Sequence, residues 1–197
     1  MSRPVYYLFF KRPLDLLISL LALLFLSWLL LLILLIYSVT FNFPVLFFQY
    51  RIGKGGQPFR IYKFRTLLPD EQLPVAERQF WWGSFLRRFS LDELPQLVNV
   101  VKGEMSLIGP RPLPVEYAPL FSAEQNKRHA VRPGVTGLAQ VNGRNSISWK
   151  EKLNYDVFYA EHVSWRADLR IALKTLVVLF SFKRDVSLQE SRFTGNE

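Results

Sequence analysis

The hydrophobic pattern divides the chain into two unequal parts. From Leu16 to Tyr50 no residue is charged, and Leu16 to Ile36 is an almost unbroken apolar run. About 20 apolar residues suffice for a helix to cross a bilayer, so this run reads as a membrane element. Lys11 and Arg12 precede it, and Arg51, Lys54, Arg60, Lys63 and Arg65 follow it. Lys and Arg beside a membrane segment stay on its cytoplasmic side. One straight span would put its two flanks on opposite sides, whereas a segment that enters and returns keeps both on one side. The pattern therefore predicts a re-entrant helix, with everything after residue 50 against the inner face of a membrane. Ser27 lies near the middle of the run, where its hydroxyl can bond a backbone carbonyl and favour a bend. Ser27-Trp28 marks the turning region. Residues 4–15 (PVYYLFFKRPLD) mix aromatics with a Lys-Arg pair, which suits the headgroup layer, rings down and cations up.

Beyond residue 43 the periodicity changes. Pro44 to Phe48 reads as a strand, Gly53, Gly55 and Gly56 as a turn, and Phe59 to Thr66 alternates as a second strand. Together they predict a β-hairpin with Lys63 and Arg65 on one face. Residues 67–80 read as loop, Phe80 to Arg88 as an aromatic-rich interfacial helix, and Leu94 to Val101 as helix. GPRPLP at 109–114 cannot be regular helix, because its three prolines remove donors and fix φ. Residues 123–131 look helical, Arg132 to Asn145 loop-like, and Trp149 to Glu161 helical with a Tyr/Phe stripe. Ile171 to Phe182 is an apolar helix carrying only Lys174, too short to span, which fits either the interface or the core. The expected fold is α/β, mostly helical with a small β-hairpin. A re-entrant N-terminal segment (1–43) precedes a cytoplasmic domain with interfacial helices (44–185) and a polar C-terminal tail (186–197).

Composition sharpens this picture in three respects. Half of the 197 residues are hydrophobic and the net charge is +9. A basic surface beside a membrane segment is first explained by anionic lipid headgroups or phosphorylated substrates; nucleic acid would need a basic, soluble face. Cysteine is absent, which excludes disulfides and thiolate metal sites. The apolar run is too long for a signal peptide and has no small-x-small cleavage site. No P-loop, dinucleotide fingerprint or HExxH motif is present.

The residues that could carry chemistry centre on Ser90-Leu91-Asp92-Glu93-Leu94-Pro95. Ser90 with Glu93 three positions on has the form of a capping box, and capping is the favoured reading of that motif alone. The other reading makes Asp92 and Glu93 a catalytic pair at a helix start, one a nucleophile and the other handling a proton or a metal. Pro95 forces the helix to start or kink there. Both readings can hold at once. A basic set accompanies the acids: Lys63, Arg65, Arg87, Arg88, Arg111, Arg132 and Arg144. Arg111, between two prolines, is stiffly presented and suits bidentate phosphate binding. Arg111 and Arg144 lie in tight Pro/Gly loops, where ligand-binding residues concentrate. Arg87 and Arg88 beside Trp81 and Trp82 serve lipid or substrate equally well. His129 and His162 read as structural or exposed. Any metal would have oxygen ligands, which fits Mg²⁺ shared between a carboxylate and substrate phosphates.

Several blocks occur in a fixed order: KRPLD (11–15), PVLFFQYRIG (44–53), IYKFRT (61–66), LRRFSLDELPQLVNVVKGEMSLIGPRP (86–112), VEY (115–117) and RPGVTGLAQVNGRN (132–145). In this order the chain resembles the bacterial sugar transferases, the monotopic phosphoglycosyl transferases, over nearly all of residues 11–180. The resemblance implies a UDP-sugar donor, a polyprenol phosphate acceptor in the inner membrane, and products polyprenol diphosphate sugar and UMP. It further implies that Asp92 is the nucleophile, Glu93 its partner acid, and that Mg²⁺ bridges Asp92 and the diphosphate. Lys63, Arg87 and Arg111 would contact phosphates, and Arg65, Arg132 and Arg144 complete the candidate phosphate and nucleotide contacts. An ionised Asp92 is expected from its helix N-terminus and nearby arginines. Two departures stand out: the family's Ser-Pro break is Ser27-Trp28 here, and its KFRTM block ends in Leu67. The rival reading is a non-catalytic membrane scaffold binding anionic lipid. A homo-oligomer is left open.

Overall fold

A computed structural model describes residues 4–143, 146–180 and 192–195. Its N-terminal part is two helices. A short π-helical turn at Tyr6–Phe10 leads into α1 (Lys11–Phe25), and α2 (Ser27–Thr40) follows at once. The two meet at Leu26 with a bend of 56°. The Ser27 hydroxyl donates to the Leu24 carbonyl at 2.8 Å, the local back-bond expected of a serine at a bend. Among the described residues no single helix is long and apolar enough to cross a membrane; the bent pair together has the length and composition.

The outward side of this pair is apolar and exposed, with Leu17, Leu24, Phe25, Leu31 and Leu35 facing out. The inward side of α1 is polar. Lys11, Asp15 and Ser19, spaced four apart on one helix face, are all buried. Lys11 Nζ donates to Asp168 at 2.6 Å, and Asp15 accepts from the Ser106 hydroxyl at 2.7 Å. Arg12 donates to the carbonyls of Val100 and Val101 at 2.6 and 2.9 Å. The cations of residues 4–15 are thus engaged by the protein and not turned up toward headgroups. Their partners lie about 90 to 160 positions away in sequence, beyond the reach of local pattern reading.

The hairpin forms as β1 (Leu46–Ile52) and β2 (Pro58–Phe64), antiparallel, with Phe48 opposite Tyr62. Its first strand runs four residues past Phe48, carrying Arg51 into the sheet. A cluster of Phe64 with Trp82, Leu86, Ile33 and Tyr37 ties the hairpin to α2 and to α3 (Trp81–Arg88). A 3-10 turn at Leu91–Glu93 and α4 (Gln96–Lys102) follow, with Pro95 just ahead of α4, where a proline costs the helix nothing.

The stretch 132–145 is more regular than expected. It holds β4 (Gly134–Thr136), paired in parallel with β3 (Ser106–Ile108), and a one-turn helix α6 (Leu138–Val141). A Cβ at Gly134 would run into the backbone of Gly109, so glycine permits this close approach. The helix expected at 123–131 is α5 (Ala123–Asn126) tightening into a 3-10 turn at Lys127–Ala130. α7 (Trp149–Glu161) has the expected bounds, and α8 (Trp165–Phe180) begins six residues earlier than its apolar core suggested. α8 packs in the core through buried Ile171, while Trp165, Leu169, Leu173, Leu176 and Val177 are exposed. Phe193 packs with Trp149, Leu153, Phe121 and Leu113, a placement that the polar C-terminal composition does not announce. Residues 186–191 and 196–197 of the expected tail lie outside the described residues.

Candidate active site

The end of β2, the turn at 91–93 and the 110–114 loop line a cavity of about 840 Å³, together with residues of α7. Lys63, Arg65, Arg87, Asp92, Glu93 and Arg111 all line it. Arg132 is not among its lining residues; its Nε donates to the Gly103 carbonyl at 2.8 Å, fastening the end of α4. Arg144 lies outside the described residues.

The acids are presented by an abrupt turn. α3 ends at Arg88, and Ser90 takes a left-handed conformation with φ of 55°, uncommon for a residue bearing a Cβ. That reversal sends Leu91–Glu93 back over the cavity. Ser90 therefore makes no capping bond, and the favoured capping-box reading fails. A Ser at N-cap needs an extended backbone to reach N3, and φ of 55° prevents it. The boxes that do form are Ser122 with Gln125 and Ser148 with Glu151.

Glu93, released from capping, takes the cations. Lys63 Nζ donates to its Oε1 at 2.6 Å and Arg111 Nη2 to the same oxygen at 3.3 Å. Burial would raise its pKa, but Lys63 and Arg111 more than offset that and hold it down to about 2. Asp92 is buried, 8 % exposed. Burial pushes its carboxyl up to about 6, with Lys63 opposing and Glu93 adding to the rise. The Asp92 expected to be ionised is thus less readily ionised than an ordinary carboxylate, because desolvation outweighs the attraction of Lys63, Arg111 and Arg87. The pair is divided into one firmly ionised carboxylate and one poised near neutrality, the pattern of groups given different tasks.

The remaining cations differ in availability. Arg65 donates through Nε to the Pro44 carbonyl at 3.0 Å, and its own carbonyl accepts from the Tyr37 hydroxyl. Arg87 donates to the Thr66 carbonyl at 2.6 Å and to Ser84 Oγ at 3.2 Å. Both line the cavity while bracing the segment after β2. Sequence reasoning overlooked further charged residues in this region, among them Arg51, Arg128 and Asp156. Arg51 lines the cavity from the end of β1, and burial together with Arg111 lowers its pKa to about 10. Arg128 and Asp156 form a buried ion pair at 2.5 Å, and Asp156 also lines the cavity. The one available signal was the placement of Arg51 at the end of an apolar strand; Arg128 and Asp156 look like ordinary helix-surface charges. His129 is buried and held down to about 4 by burial and by Arg128, and the exposed His162 ring stacks on Phe158, as structural roles require.

Among the described residues no three His, Asp or Glu side chains converge as a metal site. With Glu93 committed to two cations, Asp92 is the carboxylate of the pair left to meet a metal. Such a donor set suits Mg²⁺, which characteristically takes one or two carboxylates and completes its shell with phosphate oxygens and water.

A sequence model described as bacterial sugar transferase matches residues 6–182. The chain is 44% identical over 161 residues to an uncharacterized sugar transferase, EpsL, of Bacillus subtilis, covering 78% of this chain and 80% of that protein. It is 36% identical to the exopolysaccharide production protein ExoY of Sinorhizobium fredii, over 84% of this chain and 83% of the relative. It is 39% identical to the UDP-glucose:undecaprenyl-phosphate glucose-1-phosphate transferase of Klebsiella pneumoniae, over 85% of this chain but 39% of that longer protein.

Proposed function

The chain belongs to the bacterial sugar transferase family, and on that premise we propose that it moves a phosphosugar from a UDP-sugar to a membrane polyprenol phosphate. The observation that carries this reading is the divided acid pair: Asp92 buried and poised, Glu93 neutralised by Lys63 and Arg111, both in one large cavity. The names of relatives that transfer glucose-1-phosphate or N-acetylgalactosamine phosphate to undecaprenyl phosphate support the same chemistry.

The reaction runs in two displacements. An Asp92 carboxylate oxygen attacks the sugar-bearing phosphorus of the donor; the new O–P bond forms as the bond to UMP breaks. UMP departs, and a phosphate oxygen of the polyprenol phosphate attacks the same phosphorus. Asp92 is released as a carboxylate, and the product is polyprenol diphosphate sugar. Splitting the transfer lets a soluble donor and a lipid acceptor use one site in turn. Phosphoryl transfer is dominated by positioning and charge neutralisation, and Lys63 and Arg111 are placed for both. Glu93 keeps these two cations ordered before substrate arrives. Mg²⁺, when bound by Asp92 and the diphosphate, supplies charge neutralisation and orientation.

The bent, outwardly apolar α1–α2 pair is read as a re-entrant hairpin in the bacterial inner membrane, holding the catalytic domain on the cytoplasmic face. The exposed apolar side chains of α8 extend the lipid contact. The test is UMP release from a panel of UDP-sugars with Mg²⁺ and polyprenol phosphate. UMP from at least one donor, lost in Asp92→Asn, is expected. Release of UDP instead would indicate ordinary glycosyl transfer and overturn the reading.

A further inference from the structure

Residues 110–113 form a loop in which each backbone carbonyl in turn is held by a donor from another part of the chain. The Gly134 N–H donates to the Pro110 carbonyl at 2.9 Å. Arg128 Nη2 donates to the Arg111 carbonyl at 2.7 Å. Arg51 Nη1 donates to the Pro112 carbonyl at 3.2 Å, and the Ile52 N–H to the Leu113 carbonyl at 2.9 Å. Pro110, Pro112 and Pro114 have no N–H of their own and restrict φ. A segment of alternating prolines cannot stabilise itself through local ladders, so its order must come from outside.

The carbonyl of Arg111 and that of Pro112, the residue after it, are held by arginines. Each arginine is itself fixed. Arg128 is paired with buried Asp156, with side chains 1% and 4% exposed. Arg51 also donates to Gln49 Oε1 at 2.6 Å. A guanidinium offers five donors in a rigid fork, so one group can grip a carbonyl and a second acceptor simultaneously. The gripped loop ends in the guanidinium of Arg111 at 3.3 Å from Glu93.

From this geometry we infer that Arg51 and Arg128 are positioning residues, which clamp the backbone at Arg111 and at Pro112 just after it, where the Gly134 N–H holds the preceding carbonyl, and so fix the Arg111 guanidinium for the phosphates of the donor. The inference rests on the phosphosugar transfer proposed above. Each arginine spans a distance to the loop and holds a second acceptor besides, Asp156 for buried Arg128 and Gln49 for half-buried Arg51. Arg51, whose second partner is a neutral amide, also adds positive charge to the cavity wall, whereas Arg128 is neutralised by Asp156.

The test combines an exchange measurement with a mutant cycle. The variants are Arg51→Gln and the double change Arg128→Gln/Asp156→Asn, which removes both charges of the buried pair and leaves neither unpaired. Hydrogen exchange of the full-length protein in detergent, read on peptides spanning 108–118, is expected to speed up in both variants while α7 peptides away from residue 156 stay unchanged. UMP release is expected to fall roughly tenfold or more in each, the scale of misplacing a positioned group. In an Arg111→Ala background the same changes should cost little further, because residues that act through one group are not additive. Losses that multiply with that of Arg111→Ala would overturn the inference, as would unchanged exchange at 108–118. A wild-type protein that releases no UMP from any donor would count against the proposed function, and the exchange result would then decide the clamp by itself.

Discussion

At Asp92 burial opposes ionisation, and at Glu93 two cations enforce it; this difference between neighbours has measurable consequences. A carboxyl whose folded pKa is about 6 binds its proton more tightly folded than unfolded. It therefore disfavours the fold increasingly as pH rises from about 4 to about 6, and by a constant amount above that. Asp92→Asn, which mimics the neutral form, should raise stability at pH 7.5 by roughly 1–3 kcal/mol and give no gain at pH 4, while abolishing turnover. Thermal unfolding in detergent at the two pH values checks this. In the wild type the donor half-reaction should slow as pH falls below about 6, where Asp92 takes up its proton. Glu93 acts in the opposite sense. Its pKa is depressed to about 2, so its stabilisation is present above the ordinary carboxylate range and is lost as pH falls toward 2. Glu93→Gln should lower the unfolding temperature at neutral pH, since Lys63 and Arg111 lose their shared anion. The acid pair itself was legible in SLDELP, because adjacent carboxylates ahead of a proline are conspicuous. Its division of labour was not: it depends on Lys63, thirty residues away on a strand, and on a left-handed Ser90 that undid the expected cap.

Elements were legible where periodicity was strong. The hairpin, α3, α4 and α7 all follow from spacing and turn residues, and the bend at Ser27 follows from one hydroxyl in an apolar run. That bend sets an expectation for the next residue. Trp28 is the second residue of α2, within the first turn, where a proline is tolerated. Trp28→Pro should cost under about 1 kcal/mol, whereas a proline inside a continuous helix costs about 3 kcal/mol; unfolding in detergent distinguishes the two. β4 was missed because a three-residue parallel strand in a Gly- and Pro-rich segment has no periodicity to read. Its existence depends on Gly134 lying against Gly109, a contact visible only in three dimensions. Gly134→Ala should therefore destabilise the protein by about 3 kcal/mol, at the upper end of overpacking costs, and reduce the yield of folded protein.

For the molecule as a whole, polar contacts attach the bent α1–α2 pair to the rest of the protein: Lys11 to Asp168, Arg12 to the end of α4, and Asp15 to Ser106. The bent helix pair is thus locked to the strands and helices behind the cavity, and on the proposed reading its orientation fixes where the cavity meets the bilayer. Sequence reading expected a break at Ser27, and the pair is bent there; the docking face of α1 was hidden because its polar residues resembled headgroup anchors. The chain has no cysteine, so single cysteines at Val5 and Lys54, both exposed, can report topology. In inverted or right-side-out vesicles the two positions should label from the same side; labelling from opposite sides would establish a span.

The most direct test of the account is the intact mass of the purified protein after incubation with Mg²⁺ and a competent UDP-sugar, with the lipid acceptor withheld. A mass gain of one phosphosugar, absent in Asp92→Asn and discharged when polyprenol phosphate is added, is the predicted result. Stoichiometric turnover with acceptor but no adduct without it, or an adduct that persists in Asp92→Asn, would contradict the assignment of Asp92 as the group that carries the phosphosugar between donor and lipid.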